Sequence, residues 1–471
     1  MLALSKSRSV DMTRGPLLKK MLLFILPLMA TNLLQFFYNA ADVMIAAMSS
    51  DPDAVGAVGS CGVYLSLIIN IFIGFSVGTD VVVARNIGAK DSGGISRSVH
   101  TSICMSAIFG ILGAFIGIAI ARPIYMLMGY SDDLLELCLK YTYIYLIGLP
   151  FVSLTNFLSA ILRSKGDTGT PMYVLSATGL LNVLLNLLFV LGLNLTVEGL
   201  AIATAVSNLV SSLILFVILT RDSGDCKISF SKLRISKKEF FEVFHIGFPS
   251  GIQNAFFSIS NMLIQSSIMR VDNMITPPGS EYAPVIKGNS AASNLENFAF
   301  AIMNPVAQAA STFTGQNVGI NDYRRVKKVL GASCFLAVAV AVAVSAVLII
   351  FSEPLLSLYG VTKAADFLSQ TAFNTAMIRI WWRCAPFFLI SLMNTTAGIL
   401  RGIGRSVTSA AISFVGTCVF RVIWILTVFE HFETLESIYM SYGITWIMTS
   451  TAFFIIIAVA LKKKIKEQTK F

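Results

Sequence analysis

Apolar runs of about twenty residues or more recur along the whole chain, and nearly all of its charge lies in the short segments between them. About twenty apolar residues in a helix cross about 30 Å of hydrocarbon, so runs of this length read as membrane spans. Twelve are expected, near residues 21–48, 55–82, 98–121, 139–161, 172–193, 198–220, 247–269, 291–315, 329–352, 371–400, 407–429 and 439–461. In lipid the backbone must satisfy its own hydrogen bonds, which makes each span a helix. Only 13% of the 471 residues are charged, and the deficit is spread over the whole length, so no large soluble domain is expected.

Lysine and arginine set the orientation. With the N-terminus inside, the inner segments hold 27 of the 35 Lys and Arg residues, and the outer segments hold Arg122, Lys140, Arg270, Lys287 and Lys363. Such a bias places both termini in the cytoplasm, in a prokaryotic inner or plasma membrane. The net charge of +10 therefore reports topology. Nucleic acid is not expected as a partner, because no soluble module with a basic face is visible. The basic residues Lys6, Arg8, Arg14, Lys19 and Lys20 lead into an apolar run too long for a signal-peptide core, so it reads as the first span. The seven cysteines form no CxxC pair and mostly fall in apolar runs, as small hydrophobes do. No disulfide framework or zinc site is expected.

The longest inner connection, 221–246, lies near the chain midpoint, and the two sides of it repeat weakly but in order. Pro27, Asn32 and Asn39 of span 1 are echoed at the same spacing by Pro249, Asn254 and Asn261 of span 7. Asn86-Ile87-Gly88 is echoed by Asn317-Val318-Gly319. Pro150-Phe151 followed by Ile161-Leu162-Arg163 is echoed by Pro386-Phe387 followed by Ile399-Leu400-Arg401. The expected fold class is an all-α membrane protein of two six-helix bundles related by a pseudo-twofold axis along the membrane normal. Its parts are a cytoplasmic segment (1–20), an N-terminal lobe (21–220), a cytoplasmic linker (221–246), a C-terminal lobe (247–461) and a basic tail (462–471). Substrate is expected in a cleft between the bundles.

Charges within spans are costly, which makes each a functional candidate. They are Asp42, Asp80, Glu296, Arg379, Arg383 and Arg421. Asp42 ends a stripe with Gln35, Tyr38 and Asn39 on one face of span 1, and helical rise places it in the outer half of the membrane. There it could bind Na⁺ or take a proton, since desolvation penalises its charged form. The competing account is a solvated carboxylate at the outer interface. Asn182 and Asn186 share a face of span 5, and with Thr204 of span 6 they fall at depths compatible with a shared site. Interhelical hydrogen-bond glue explains them equally simply. Asp80 reads as an interfacial ion pair with Arg85. Glu296 is a second candidate protonation site. Arg379 and Arg383 flank Trp381-Trp382, either as snorkelling belt residues or as a fixed positive element facing Glu296 or an anionic substrate. Arg421 lies mid-span and needs a partner that the sequence does not name.

Catalytic signals are poor. His100, His245 and His431 sit near membrane borders, and there is no HExxH, GxSxG or Walker loop. No enzyme activity, cofactor or ATP-driven pumping is expected. A membrane-embedded transferase would need an acid/base pair at one depth, which the sequence does not offer.

The ordered motifs resemble the multidrug and toxic compound extrusion (MATE) family, in its prokaryotic DinF-like branch. The resemblance is carried by Leu26-Pro27, by Tyr38-Asn39 with Asp42, by Gly148-x-Pro150 through Asn156 to Arg163-Ser164-Lys165-Gly166-Asp167, by Asn182, by Gly199 to Thr204, and by Gly315 to Gly319. It implies a V-shaped pair of six-helix lobes that export cationic, amphipathic small molecules by H⁺ or Na⁺ antiport, with a monomer sufficient. It also implies a cation site at Asp42, Asn182 and Thr204, with Tyr38 and Asn156 nearby. Asn186 stands where the family often has a second aspartate, which leaves one carboxylate and leans toward H⁺. The runner-up is a flippase of lipid-linked oligosaccharide or lipid II from the same broader superfamily, with Arg379, Arg383 and Arg421 facing a pyrophosphate.

Overall fold

The computed structural model describes residues 10–49, 54–128, 130, 132–276 and 283–468. Lys6, Arg8 and Lys470, part of the expected basic inner segments, lie outside them. Twelve helical spans follow one another. They are α1 (Leu17–Ala46), α2 (Ala54–Gly88), α3 (Ser92–Leu127), α4 (Asp132–Ile147 bent into Leu149–Ser164), α5 (Gly169–Gly192) and α6 (Val197–Thr220). The second six are α7 (Lys237–Ile275), α8 (Pro284–Gly319), α9 (Tyr323–Ile350), α10 (Phe367–Cys384 bent into Phe387–Gly402), α11 (Ser406–Phe432) and α12 (Leu435–Gln468).

Counting each bent pair once, ten of these are long and apolar enough to cross a membrane. The other two, α7 and α8, have ample length at 39 and 36 residues but carry Gln253, Asn261, Gln265, Asn289, Asn294 and Glu296. Their polar side chains lower the hydropathy without shortening the helix. Many helices outrun the expected spans: α7 begins at Lys237 rather than near 247, and α3 covers 92–127 rather than 98–121.

The chain divides into two compact units, Met1–Asn254 with Gly315–Asp322, and Ala255–Thr314 with Tyr323–Phe471. In the first, the stretch before α1 is packed: Met12 is fully buried, and Val10 N–H donates to the Gly166 carbonyl at 3.1 Å. The connection before α7 is packed as well. Cys226 and Ile228 are buried, Ser229 N–H donates to His100 Nε2 and Ser236 N–H donates to Thr101 Oγ1, both at 3.0 Å. Helix α2 meets the first half of α7 through Gly74 and Gly78 on one side and Gly247 and Gly251 on the other. A Cβ on Gly74 or Gly78 would overlap the facing backbone. Without water to drive association, such small-residue contacts hold helices in lipid by close packing. In the second unit, Phe387, Tyr439, Trp446 and Phe453 are the large fully buried side chains of α10 and α12.

The sequence repeat reappears as repeated backbone geometry. α4 and α10 each bend by 47°, at Gly148 and at Ala385-Pro386. Each then ends on the same turn. Gly166 N–H donates to the Arg163 carbonyl and Gly404 N–H to the Arg401 carbonyl, both at 2.8 Å, with φ of +91° and +89°. A side chain in that region costs about 1–2 kcal/mol, which explains glycine at both places. The Asn-x-Gly echoes close another shared turn, with Lys90 at φ +55° and Asn321 at φ +57°. α5 ends in a π turn at Leu188–Gly192, and α11 has one at Ile425–Phe429, one turn before its end.

Candidate functional site

Three helices of the first unit bring the expected residues together. Asn186 is fully buried on α5, and its Nδ2 donates to Asp42 Oδ1 of α1 at 2.5 Å and to Asn182 Oδ1 at 3.3 Å. Asn182 Nδ2 donates onward to Thr204 Oγ1 of α6 at 3.3 Å, and Thr204 donates to its own helix at the Leu200 carbonyl. The result is one chain, Asp42–Asn186–Asn182–Thr204, across α1, α5 and α6. From Asn186 the amide nitrogen donates both to the carboxylate and to Asn182, whose own nitrogen donates on to Thr204. The amide orientations are set by these partners. Asn186 Oδ1 is buried without a hydrogen-bond partner.

Tyr38 stands one turn before Asp42 and donates its hydroxyl to the Ser176 carbonyl at 2.9 Å. Its ring lies on Gly179 of α5, where any Cβ would overlap it, so the glycine sets how closely α1 approaches α5. The rest of the stripe divides: Tyr38 and Asp42 are half-buried, whereas Gln35 and Asn39 are exposed. Asn156 does not join the chain in the contacts seen; its Nδ2 donates to the Val152 carbonyl of its own helix. Two tyrosines that sequence reasoning passed over, Tyr141 and Tyr145 on α4, lie within range of the Asp42 charge. Their i, i+4 spacing was the available signal.

Asp80 is buried, and Arg163 lies within range of its charge.

The second unit holds a different cluster. Glu296 of α8 is 2% exposed, and Arg379 grips it with two parallel bonds of 2.8 Å, Nε to Oε1 and Nη2 to Oε2. Arg383 Nη1 reaches Oε2 at 2.6 Å. Arg379 also donates to Asn289 Oδ1, which accepts from the Tyr439 hydroxyl at 2.9 Å as well. Both arginines are buried while Trp381 and Trp382 beside them are exposed, so the arginines face the carboxylate and do not snorkel. Such a bidentate pair is strong, and removing one buried partner costs about 3–5 kcal/mol. Arg421 finds the partners its sequence could not name: Nη1 donates to Ser260 Oγ at 3.2 Å, and its guanidinium lies 4.1 Å from the Tyr442 ring centroid. Arg383 lies over the same ring at 3.9 Å. Tyr439, Tyr442 and Trp446 form an aromatic stripe on α12 that reads as core in sequence.

Two six-helix sets, each with a charged polar cluster buried among its helices, define a polytopic membrane protein of the transporter type. The MatE family model matches residues 27–188 and 249–427, and the chain belongs to that family. It is 26% identical over 372 residues to the probable multidrug resistance protein YoeA of Bacillus subtilis, covering 77% of each chain. It is 24% identical over 403 residues to the probable multidrug resistance protein NorM of Thermotoga maritima, covering 84% of this chain and 82% of that one. Among solved structures, the fold matches an outward-facing multidrug resistance MATE family transporter of the MOP superfamily with a TM-score of 0.87 at 22% identity, covering 98% of this chain and 99% of that chain. It matches MATE in complex with MaL6 with a TM-score of 0.87 at 21% identity, over 98% and 100% of the two chains.

Proposed function

We propose that this chain is a secondary efflux transporter that exports amphipathic organic compounds in exchange for H⁺ or Na⁺, with Asp42 as the coupling carboxylate. The observation that carries the reading is the hydrogen-bond chain from half-buried Asp42 through the buried Asn186 and Asn182 to Thr204, in a protein of the MatE family. A group that takes up and releases a cation must sit among helices that respond to its charge, and Asp42 bridges α1 to α5 and α6. Relatives named as multidrug resistance proteins support efflux as the direction of transport. No catalytic role is assigned.

The donor set favours H⁺ over Na⁺. Sodium needs oxygens converging on one point. Here the amide nitrogens of Asn186 and Asn182 point at Asp42 and Thr204, and one carboxylate stands where two would hold a cation more tightly. A Na⁺ held by Asp42, Asn182 and Thr204 would require both amides to turn, and Asn186 Oδ1 is the one buried amide oxygen of the chain left unbonded. The protein works as a monomer in the plasma membrane with both termini in the cytoplasm. The distribution of 27 inner against 5 outer basic residues supports that orientation.

Ethidium efflux from proteoliposomes under a pH gradient and a Na⁺ gradient, imposed separately, tests this. Wild type should respond to the pH gradient, and Asp42→Asn should fall to the leak seen without a gradient. Full gradient-driven efflux in Asp42→Asn would move coupling to Glu296. No efflux under either gradient from folded wild type would overturn the exporter reading in favour of the flippase.

A further inference from the structure

The buried cluster of the second unit carries more positive charge than it pairs. Arg379, Arg383 and Arg421 are each between 4% and 6% exposed; among the described residues Arg379 and Arg383 share the one carboxylate of Glu296, and Arg421 pairs with no carboxylate. Three guanidiniums against one carboxylate leave two positive charges in excess. Arginine does not shed its proton to escape burial as lysine does, so the excess persists. Two further observations locate it. Arg383 Nε and Arg421 Nε are buried donors with no hydrogen-bond partner, whereas both forks of Arg379 are engaged. Both residues also sit at irregular backbone, Arg383 within the π turn Ile380–Cys384 and Arg421 on the short α segment between the π turns Phe414–Val419 and Ile425–Phe429. Such π turns re-aim side chains and recur at functional sites. The Tyr442 ring beneath both guanidiniums offsets part of the charge, but a ring face supplies no acceptor for the two open N–H groups.

We propose that this cluster is a binding site for an oxyanion, the carboxylate or phosphate of a ligand, which accepts hydrogen bonds from Arg383 and Arg421 and neutralises the excess charge. Glu296 tethers Arg379 and Arg383 and leaves the Nε–H of Arg383 without an acceptor. Arg421, which makes no ion pair, contributes the charge that only a ligand balances. A soluble oxyanion and a phospholipid headgroup share this chemistry. A purely cationic drug is repelled here, so compounds that fill the site carry a negative group. The inference stands on binding and does not depend on the direction or coupling of transport.

The test uses the full-length protein, purified and delipidated in detergent in chloride-free zwitterionic buffer, with two probes: inorganic phosphate and dioctanoyl phosphatidic acid. Wild type should bind at least one of them saturably, and that probe should raise its thermal unfolding midpoint. Binding of inorganic phosphate identifies a soluble oxyanion as the ligand class, and binding of the lipid alone identifies the headgroup; either supports the site. Arg421→Gln should weaken binding at least tenfold and abolish the thermal shift, while Arg421→Lys, a buried ammonium that sheds its proton more readily and lacks the planar fork, should bind more weakly than wild type but more tightly than Arg421→Gln. Arg383→Gln should weaken binding similarly. If it does not fold, Arg421→Gln, which breaks no ion pair, carries the test. Failure of both probes to saturate folded wild type, or wild-type affinity in Arg421→Gln, would overturn the proposal.

Discussion

The two buried clusters occupy halves with matching backbone and opposite charge. The first half surrounds one carboxylate with neutral amides, a hydroxyl and tyrosines. The second sets two arginines on one carboxylate and a third arginine over the same Tyr442 ring as one of them. The bends, the glycine turns and one π turn recur at corresponding places, so the repeat preserves much of the scaffold, while the π turns Ile380–Cys384 and Phe414–Val419 belong to the second half alone among the described residues. What the scaffold aims has diverged. Asp42 is held by hydrogen bonds that survive protonation of the carboxylate in part, because its partner is a neutral amide. Glu296 is locked in place by ion pairs to two arginines. The first arrangement suits a group that cycles between protonation states, and the second suits a fixed one.

The largest expected effect tests that difference directly. Glu296→Gln leaves Arg379 and Arg383 buried without their carboxylate and should destabilise the protein by about 3–5 kcal/mol. Thermal unfolding in detergent measures it. A loss below about 1 kcal/mol would mean the second cluster is solvated and the contrast is wrong. Gly166→Ala comes next. It places a side chain at φ +91° and against the Val10 backbone, and should cost about 1–3 kcal/mol, and Gly404→Ala should bear at least the conformational cost of φ +89°, about 1–2 kcal/mol. Asp42→Asn keeps the shape of the side chain, so its unfolding midpoint should stay within about 1 kcal/mol of wild type although gradient-driven efflux is lost. An equal loss of stability in Asp42→Asn and Glu296→Gln would erase the distinction between a cycling and a fixed carboxylate. The smallest stability effect is expected at Trp382→Phe, an exposed position, within about 0.5 kcal/mol.

Much of this was legible in the sequence, for identifiable reasons. Twelve spans follow from hydrocarbon thickness, and even polar α7 and α8 stand out because their length and flanks fit. Asp42 announced itself because a carboxylate in a span is rare, and Asn182, Asn186 and Thr204 because helical rise fixes depth. Arg421 was visible as a problem but not as a solution. Its partners Ser260 and Tyr442 come from α7 and α12, far apart in the chain, and no local periodicity links them. The aromatic stripe of α12 was illegible because tyrosine and tryptophan at helical spacing describe a core as well as a charge platform. Asn156 shows the converse: a residue matching a motif whose amide turns back to its own helix.

The paired turns at Gly166 and Gly404 give the molecule a built-in duplicate. One substitution made at each position is the same chemical perturbation delivered twice inside a single polypeptide, at the same expression level and in the same lipid. Wherever the two copies answer differently, the disparity belongs to the surroundings of each turn, so every experiment on one half carries its reference sample in the other.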